Sequence, residues 1–321
     1  MEKLLEVSDL PGPVAWLDVR EGVVLSVLQA ERDYSRLDGR WAWRTSPGVA
    51  GLHVGPELSF NALARPGCAI RRARLNTGAS RVVAVLGPTE SEHPLAAIVV
   101  WDLAGREVAR REFDRTHGWD AAWFGDQLVL GVHDRAWTEA HGAKVEIWNA
   151  DLDRPVDRLL VNDAGFDVVV EGSVVAACGN DLHLWWPGTE RAPFSLHESS
   201  AGPPGEMGNG VLSPDGKLAA VVHDLWRPGE PQALIIRVDE PGAEPVTISD
   251  GTAHQVANLA FNSDGSLIAA SLTERPDVRV YSARDGSVVG ETQVPKHGAL
   301  AWVDTETLLV GGPTLTAWRV R

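Results

Sequence analysis

The sequence predicts an all-β fold made of repeated four-stranded antiparallel units, and three observations predict it. The stretch Asn258–Gln293 divides into four short strand-like pieces separated by polar turns. Ala257–Phe261 alternates apolar and polar residues, NSDG supplies turn chemistry, and Ser266–Leu272 is a nearly continuous apolar run. TERPD then precedes Val278–Tyr281, and ARDG precedes Ser287–Val294. The second observation is that the unit recurs, with an aromatic residue closing its third strand. Trp43, Trp101, Trp148, Trp185, Tyr281 and Trp318 mark six such places, and the seventh falls near Arg237 in LIIRVD and lacks the aromatic, giving a mean spacing of roughly 46 residues. The third is an imbalance at the two ends: three strands follow Gly298, and one orphan strand, Lys3–Ser8, precedes Pro11. A small sheet of this kind cannot bury both faces alone, so the units must pack on one another. The orphan strand closes the ring by completing the last unit. The period fits one propeller blade, so the expected fold is a seven-bladed β-propeller occupying residues 1–321 as one domain.

Taken in order, unit 1 is expected to hold strands near Val14–Val19, Val23–Gln29 and Arg40–Arg44, with a weak fourth near Val49–Val54. Unit 2 runs from Ala69 to Phe113 and unit 3 from Asp120 to about Val161. Unit 4 is compact, GFDVVV to RAPFSL; unit 5 carries GVLSPDGKLAAVVHD and ALIIRVD; unit 6 is the stretch already described. Unit 7, from Gly298, gives GALAWV, TLLVG and TLTAWRV.

Composition restricts the function. A formal charge of −15 lacks the basic stripe of a nucleic-acid binder and does not suit an anionic membrane surface. Cys68 and Cys178 are far apart and outside any CxxC pair, which argues against a disulfide framework or zinc site. The N-terminus shows no signal-peptide pattern and no apolar run approaches the length of a membrane span, so a cytoplasmic protein is expected. No GxSxG, HExxH, P-loop or GxGxxG motif occurs, and neither a catalytic residue nor a cofactor is assigned. His133 and His223 end the second strands of units 3 and 5 in the near-repeats GVHD and VVHD. They read either as an inward-facing metal or acid–base pair or as histidines bonded within their own blades. Asp120, Asp167 and Asp304 lie at or near channel-lining first strands, where carboxylates either hold a cation or meet water.

The motifs LSPDGKLAAVV at Leu212–Val222, LAFNSDGSLIAAS at Leu259–Ser271 and VVWDLAGREV at Val99–Val108 resemble those of WD40-type β-propellers, over essentially the whole chain. His117, His254 and His297 stand where that family places a blade histidine, 31, 27 and 21 residues before Trp148, Tyr281 and Trp318. By that resemblance His254, Ser271, Asp277 and Tyr281 would form a hydrogen-bonded brace in unit 6. The resemblance also implies a scaffold or inhibitory partner in signalling or conflict systems.

The connections between second and third strands are long in four units: Ala30–Gly39, Gly87–Leu95, Asp134–Gly142 and Asp224–Pro231. They emerge on one face of a ring, together with the unit joins assigned to Gly55–Gly67 and His197–Gly208. Insertions gathered on one face of a repeat fold mark its binding face. Arg32, Tyr34, Arg36, Arg135, Trp137, Trp226 and Arg227 lie in these loops and are the expected partner-binding residues, since Trp, Tyr and Arg dominate interface energetics. The expected partner is another protein, bound by a chain that is otherwise monomeric. The competing readings are a propeller enzyme or small-molecule or metal binder using the central channel, and a protein regulated by cleavage of an Arg-containing loop.

Overall fold

The computed structural model describes residues 1–29, 33–37, 40–87, 89–91, 97–112, 117–133, 143–161, 167–179, 181–196, 206–224, 231–249, 256–272, 275, 277–294 and 298–321. Strand β1 (Glu2–Val7) precedes blade 1, which opens with β2 (Val14–Arg20) and β3 (Val23–Leu28). The hairpin β4 (Asp33–Leu37) and β5 (Arg40–Arg44) intervenes before β6 (Val49–Val54) and β7 (Ser59–Ala64) complete that blade. Blade 2 contains β8 (Ala69–Leu75), β9 (Arg81–Gly87), β11 (Ala97–Asp102) and β12 (Glu107–Glu112), with the short β10 (Glu90–Ser91) outside it. Blade 3 is β13 (His117–Phe124), β14 (Gln127–His133), β15 (Ala143–Trp148) and β16 (Pro155–Val161). Blade 4 is β17 (Asp167–Glu171), β18 (Val174–Cys178), β19 (Leu182–Trp185) and β20 (Phe194–Ser195). Blade 5 is β21 (Glu206–Leu212), β22 (Leu218–Asp224), β23 (Ala233–Arg237) and β24 (Val246–Ile248). Blade 6 is β25 (Val256–Phe261), β26 (Leu267–Leu272), β27 (Asp277–Ser282) and β28 (Val288–Gln293). Blade 7 is β29 (Leu300–Trp302), β30 (Thr307–Gly311) and β31 (Leu315–Arg319), and β1 pairs with β31 as its fourth strand. The seven blades and their closure are those read from the repeats.

Each blade is too thin to enclose a core, so the cores lie between blades. Seven clusters of buried apolar side chains occupy the seven junctions of the ring. At the junction of blades 7 and 1, Leu309 and Leu315 meet Leu17 and Leu28, and Leu5 and Val7 of β1 pack against them. At the junction of blades 4 and 5, Cys178 is the small buried apolar residue expected from its sequence. Gly210 makes that fit possible, because a Cβ there would stand 2.1 Å from Cys178 Sγ. First-strand tryptophans tie neighbours through their indoles: Trp16 donates to Ala73 O at 2.8 Å, and Trp302 to Ala260 O at 2.9 Å.

Blade 1 departs from the expected division. Arg40–Arg44 is not its third strand but pairs with β4 in the inserted hairpin. The third strand is β6, expected as the fourth, and β7 takes the fourth place. The stretch 55–67 is therefore mostly the outer hairpin of blade 1 and not a join between units. The aromatic place on the third strand belongs to His53 and not to Trp43. His53 faces Val24, the second residue of its strand, as Trp101, Trp148, Trp185, Tyr281 and Trp318 face the second residues of theirs. In blade 5 the residue facing the second position, Ala219, is Ile236, next to Arg237, so this place lacks the aromatic as expected.

His53 is 3% exposed. Its Nδ1 lies 2.8 Å from Leu58 O, a pure acceptor, so Nδ1 donates; the neutral ring's Nε2 then accepts from Ser26 Oγ at 2.8 Å. This is a Ser–His contact with no exposed face, and its role is to fasten β3, β6 and the β6–β7 turn. Of the brace expected in blade 6, Ser271 and Tyr281 are buried and Asp277 begins β27, while His254 lies outside the described residues.

Two outcomes follow. Removing residues 1–9 takes away the β1–β31 ladder and exposes a strand edge, and should cost roughly 3 kcal/mol or more by the worth of a few ladder hydrogen bonds; urea unfolding of the truncated protein measures it. Burial depresses the His53 pKa, with the Leu58 carbonyl only partly opposing this. A base depressed in the folded state contributes stability that is full above its unfolded pKa and declines as pH falls through it. Unfolding free energy should therefore drop as pH is lowered through about 6.5, with the His53 ring still neutral by NMR where exposed histidines are half charged.

Candidate functional site

Two regions of the ring gather functional residue types: the central channel and the face carrying the long connections. The channel encloses about 800 Å³ and is lined by residues of all seven first strands. Period-two alternation places every second residue of each first strand toward the axis or toward a neighbouring blade. Blade 1 contributes Trp16, Asp18 and Arg20; blade 2, Arg72 and Arg74; blade 4, Asp167 and Glu171; blade 5, Asn209. Blades 6 and 7 contribute mostly small or apolar residues, among them Ala260, Ala299 and Ala301.

The charged side chains bind one another across blades. Asp120, fully buried on β13, accepts from Arg72 Nη1 at 2.8 Å and from Arg74 Nη1 and Nη2 at 2.7 and 2.8 Å. Its oxygens also take the amides of Ala121 at 2.8 Å and Val168 at 3.0 Å. Burial would raise its carboxyl, but Arg74 and then Arg72 outweigh burial and hold it below the usual carboxylate range. Arg72 reaches onward to Asp167 at 2.5 Å and to Asn209 at 3.3 Å, linking blades 2, 3, 4 and 5. Both guanidinium groups lie over Trp16, at 5.1 and 5.4 Å from its ring centre. Lower in the channel, Arg20 donates from both terminal nitrogens to Glu171, one bond being 3.0 Å, and so joins blade 1 to blade 4 across the axis. Burial raises the Glu171 carboxyl above its usual range, and Arg20 draws it back only in part.

Asp167 thus lines the channel as expected and Asp120 lies buried behind the channel-lining Arg72 and Arg74, both carboxylates as partners of arginine. Asp304 sits in a turn instead, accepting the amides of Glu306 and Thr307 at 2.8 and 2.7 Å. His223 bonds within its blade, Nδ1 to Pro231 O at 3.2 Å, and the side chain of His133 lies outside the described residues. Among the described residues, no three metal-ligating side chains come together, and no helix is long and apolar enough to cross a membrane. Arg20, Arg72 and Arg74 were not anticipated. Their only sequence signal is charged residues at alternate places in otherwise apolar first strands.

Antiparallel connectivity sends the second-to-third connections, and the joins between blades, to one face. On that face blades 1 and 2 build a separate three-stranded sheet in the order β10–β5–β4. The β4–β5 hairpin pairs Asp33 with Arg44 through Leu37 with Arg40 without interruption. From the next blade, β10 adds Glu90 opposite Arg44 and Ser91 opposite Trp43. We call this sheet the crown. Of the expected partner-binding residues, Tyr34 and Arg36 lie on β4; Arg32, Arg135, Trp137, Trp226 and Arg227 lie outside the described residues. The register sets Tyr34 opposite Trp43 and Arg36 opposite Trp41, so these four positions share one face of the hairpin. Trp41 and Trp43 were not expected there.

No protein-family model and no curated protein matches the chain in sequence. Among solved structures, the Cps50 (Swd1) β-propeller domain of Myceliophteria thermophila aligns with a TM-score of 0.69 at 13% identity, covering 99% of each chain. At that identity the likeness shows the fold alone, a β-propeller, in agreement with the seven blades described above.

The channel network sets up a stability test. Asp120→Ala leaves Arg74 without its carboxylate and Arg72 with one of two, and should cost about 3–5 kcal/mol. Adding Arg74→Met to that variant should recover part of the loss, read by chemical denaturation.

Proposed function

We propose that this chain is a non-catalytic, cytoplasmic interaction module that holds another protein on the face bearing the long connections, as a scaffold or inhibitory partner. The observation that carries the reading is the crown: insertions from two different blades meet in a sheet that belongs to neither blade. A propeller ring does not need such a sheet to close. The channel supports the same conclusion, because Asp120, Asp167 and Glu171 are each engaged by an arginine. Asp120 accepts five hydrogen bonds, from Arg72, Arg74 and two backbone amides, which leaves it no lone pair for a metal ion or a reacting atom. Propeller folds of this kind, the Swd1 domain among those similar to the chain, are compatible with binding in general, and the fold does not identify the partner. The channel cavity favours one rival, a small molecule bound on the axis. Calorimetry with a panel of metabolites, and metal analysis of protein purified without added metal, distinguish that reading.

The reading is tested on the complex recovered from the source organism. Trp137→Ala together with Trp226→Ala should weaken that complex by roughly 2 kcal/mol or more, with the melting temperature nearly unchanged. Unaltered affinity, or protection of the SPDG and NSDG turns on the opposite face, contradicts it.

A further inference from the structure

An open strand edge is a template for pairing, and folded proteins suppress it by bulging, shortening or covering the edge. Each blade of this ring follows that rule. The outer strands β1, β7, β12, β16 and β28 all carry an interruption in register against their neighbours. The remaining outer strands are very short, β20 with two residues and β24 with three. The crown's β4 departs from the pattern. It is five residues long, contains no proline, and its register against β5 is unbroken. It is also the end strand of its sheet, with no neighbour on its outer side among the described residues. The crown already accepts a strand remote in sequence, since β10 of blade 2 docks on β5 through two residue pairs.

From this exception we infer that β4 is a strand-addition site, where an extended acidic segment of a partner protein pairs as the next strand of the crown. The inference rests on the proposed binding face and specifies how that face is used. Charge selects the occupant. The three strands of the crown contain Arg36, Arg40 and Arg44 against Asp33 and Glu90, a net positive sheet in a chain of net charge −15. A sheet of net positive charge in an anionic field draws an acidic segment to the crown, while the bulk of the molecule repels acidic surfaces elsewhere. The same net charge opposes pairing of two copies of this chain through β4. Main-chain bonds along β4 supply affinity, and alternate positions of the added strand meet the face shared by Tyr34, Arg36, Trp41 and Trp43, which supplies specificity.

The test uses the full chain and a displayed library of short random peptides. Enriched peptides should be acidic and extended. In an added strand only every second residue directs its amide at β4. N-methylation of one alternate set should therefore abolish binding, while methylation of the other set leaves it. Ser35→Pro and, separately, Arg36→Glu should each weaken these peptides roughly tenfold or more, and Arg36→Glu should do so without lowering the melting temperature. Binders that are indifferent to both substitutions and to the methylation register, but compete with the native partner on the long-connection face, overturn strand addition and leave the face intact. Binders that map to the channel or to the SPDG and NSDG turns overturn both. No enrichment overturns the inference, as does a dimer in sedimentation that Ser35→Pro dissolves, since β4 would then serve a second copy.

Discussion

Burial between blades is the interaction on which the rest of this structure depends. A four-stranded sheet has two faces, and neither is closed within the blade. The apolar runs of the second strands, such as LIAASL and VVAAC, have no core until a neighbour covers each side. Seven shared cores result, and every blade belongs to two of them. A ring of this kind is stable only when the last junction forms, which is why β1, half-exposed and irregular in register, matters beyond the small area it buries. The indole bonds from Trp16 and Trp302, and the Arg72–Asp120–Asp167 link, act on the same junctions from the channel side.

Closure also separates the molecule into parts that must be regular and parts that are free to vary. The first-to-second turns of blades 5 and 6 repeat one device: Asp215 or Asp264 caps a turn that ends in a glycine of positive φ, Gly216 or Gly265. The opposite face carries the insertions, because lengthening a second-to-third connection leaves both shared cores intact. The crown is the visible product of that freedom. Its edge is the place where the chain departs from the bulged or shortened outer strands found around the ring.

The repeat was legible because its signals are local. Turn chemistry, apolar alternation and a closing aromatic each fall within a few residues, and they located the blades and the orphan strand. Blade 1 was misdivided because two rules competed for Trp43. RWAWR carries the aromatic expected at the close of a third strand, while Leu37-Asp38-Gly39-Arg40, an Asp-Gly step between two strand-like runs, was the stronger hairpin signal; the spacing also spoke against Trp43, which stands 58 residues before Trp101 where His53 stands 48. The aromatic side chain prevailed over the turn and the period, so His53 was passed over at the true closing position. The channel network was illegible for a different reason. Arg72, Asp120 and Asp167 are separated by 48 and 95 positions in sequence, and only the ring brings them together. The long connections were legible in the sequence, but the crown was not, since pairing of β10 with β5 joins connections from different blades.

The central claim is that the crown face is where the partner sits. Hydrogen–deuterium exchange of the free protein and of its native complex tests it most directly. The account predicts slowed exchange confined to Asp33–Leu37, Arg40–Arg44 and the neighbouring long connections, with the first-to-second turns unchanged. Protection of those turns or of the channel strands, with the crown exchanging as in the free protein, would contradict it.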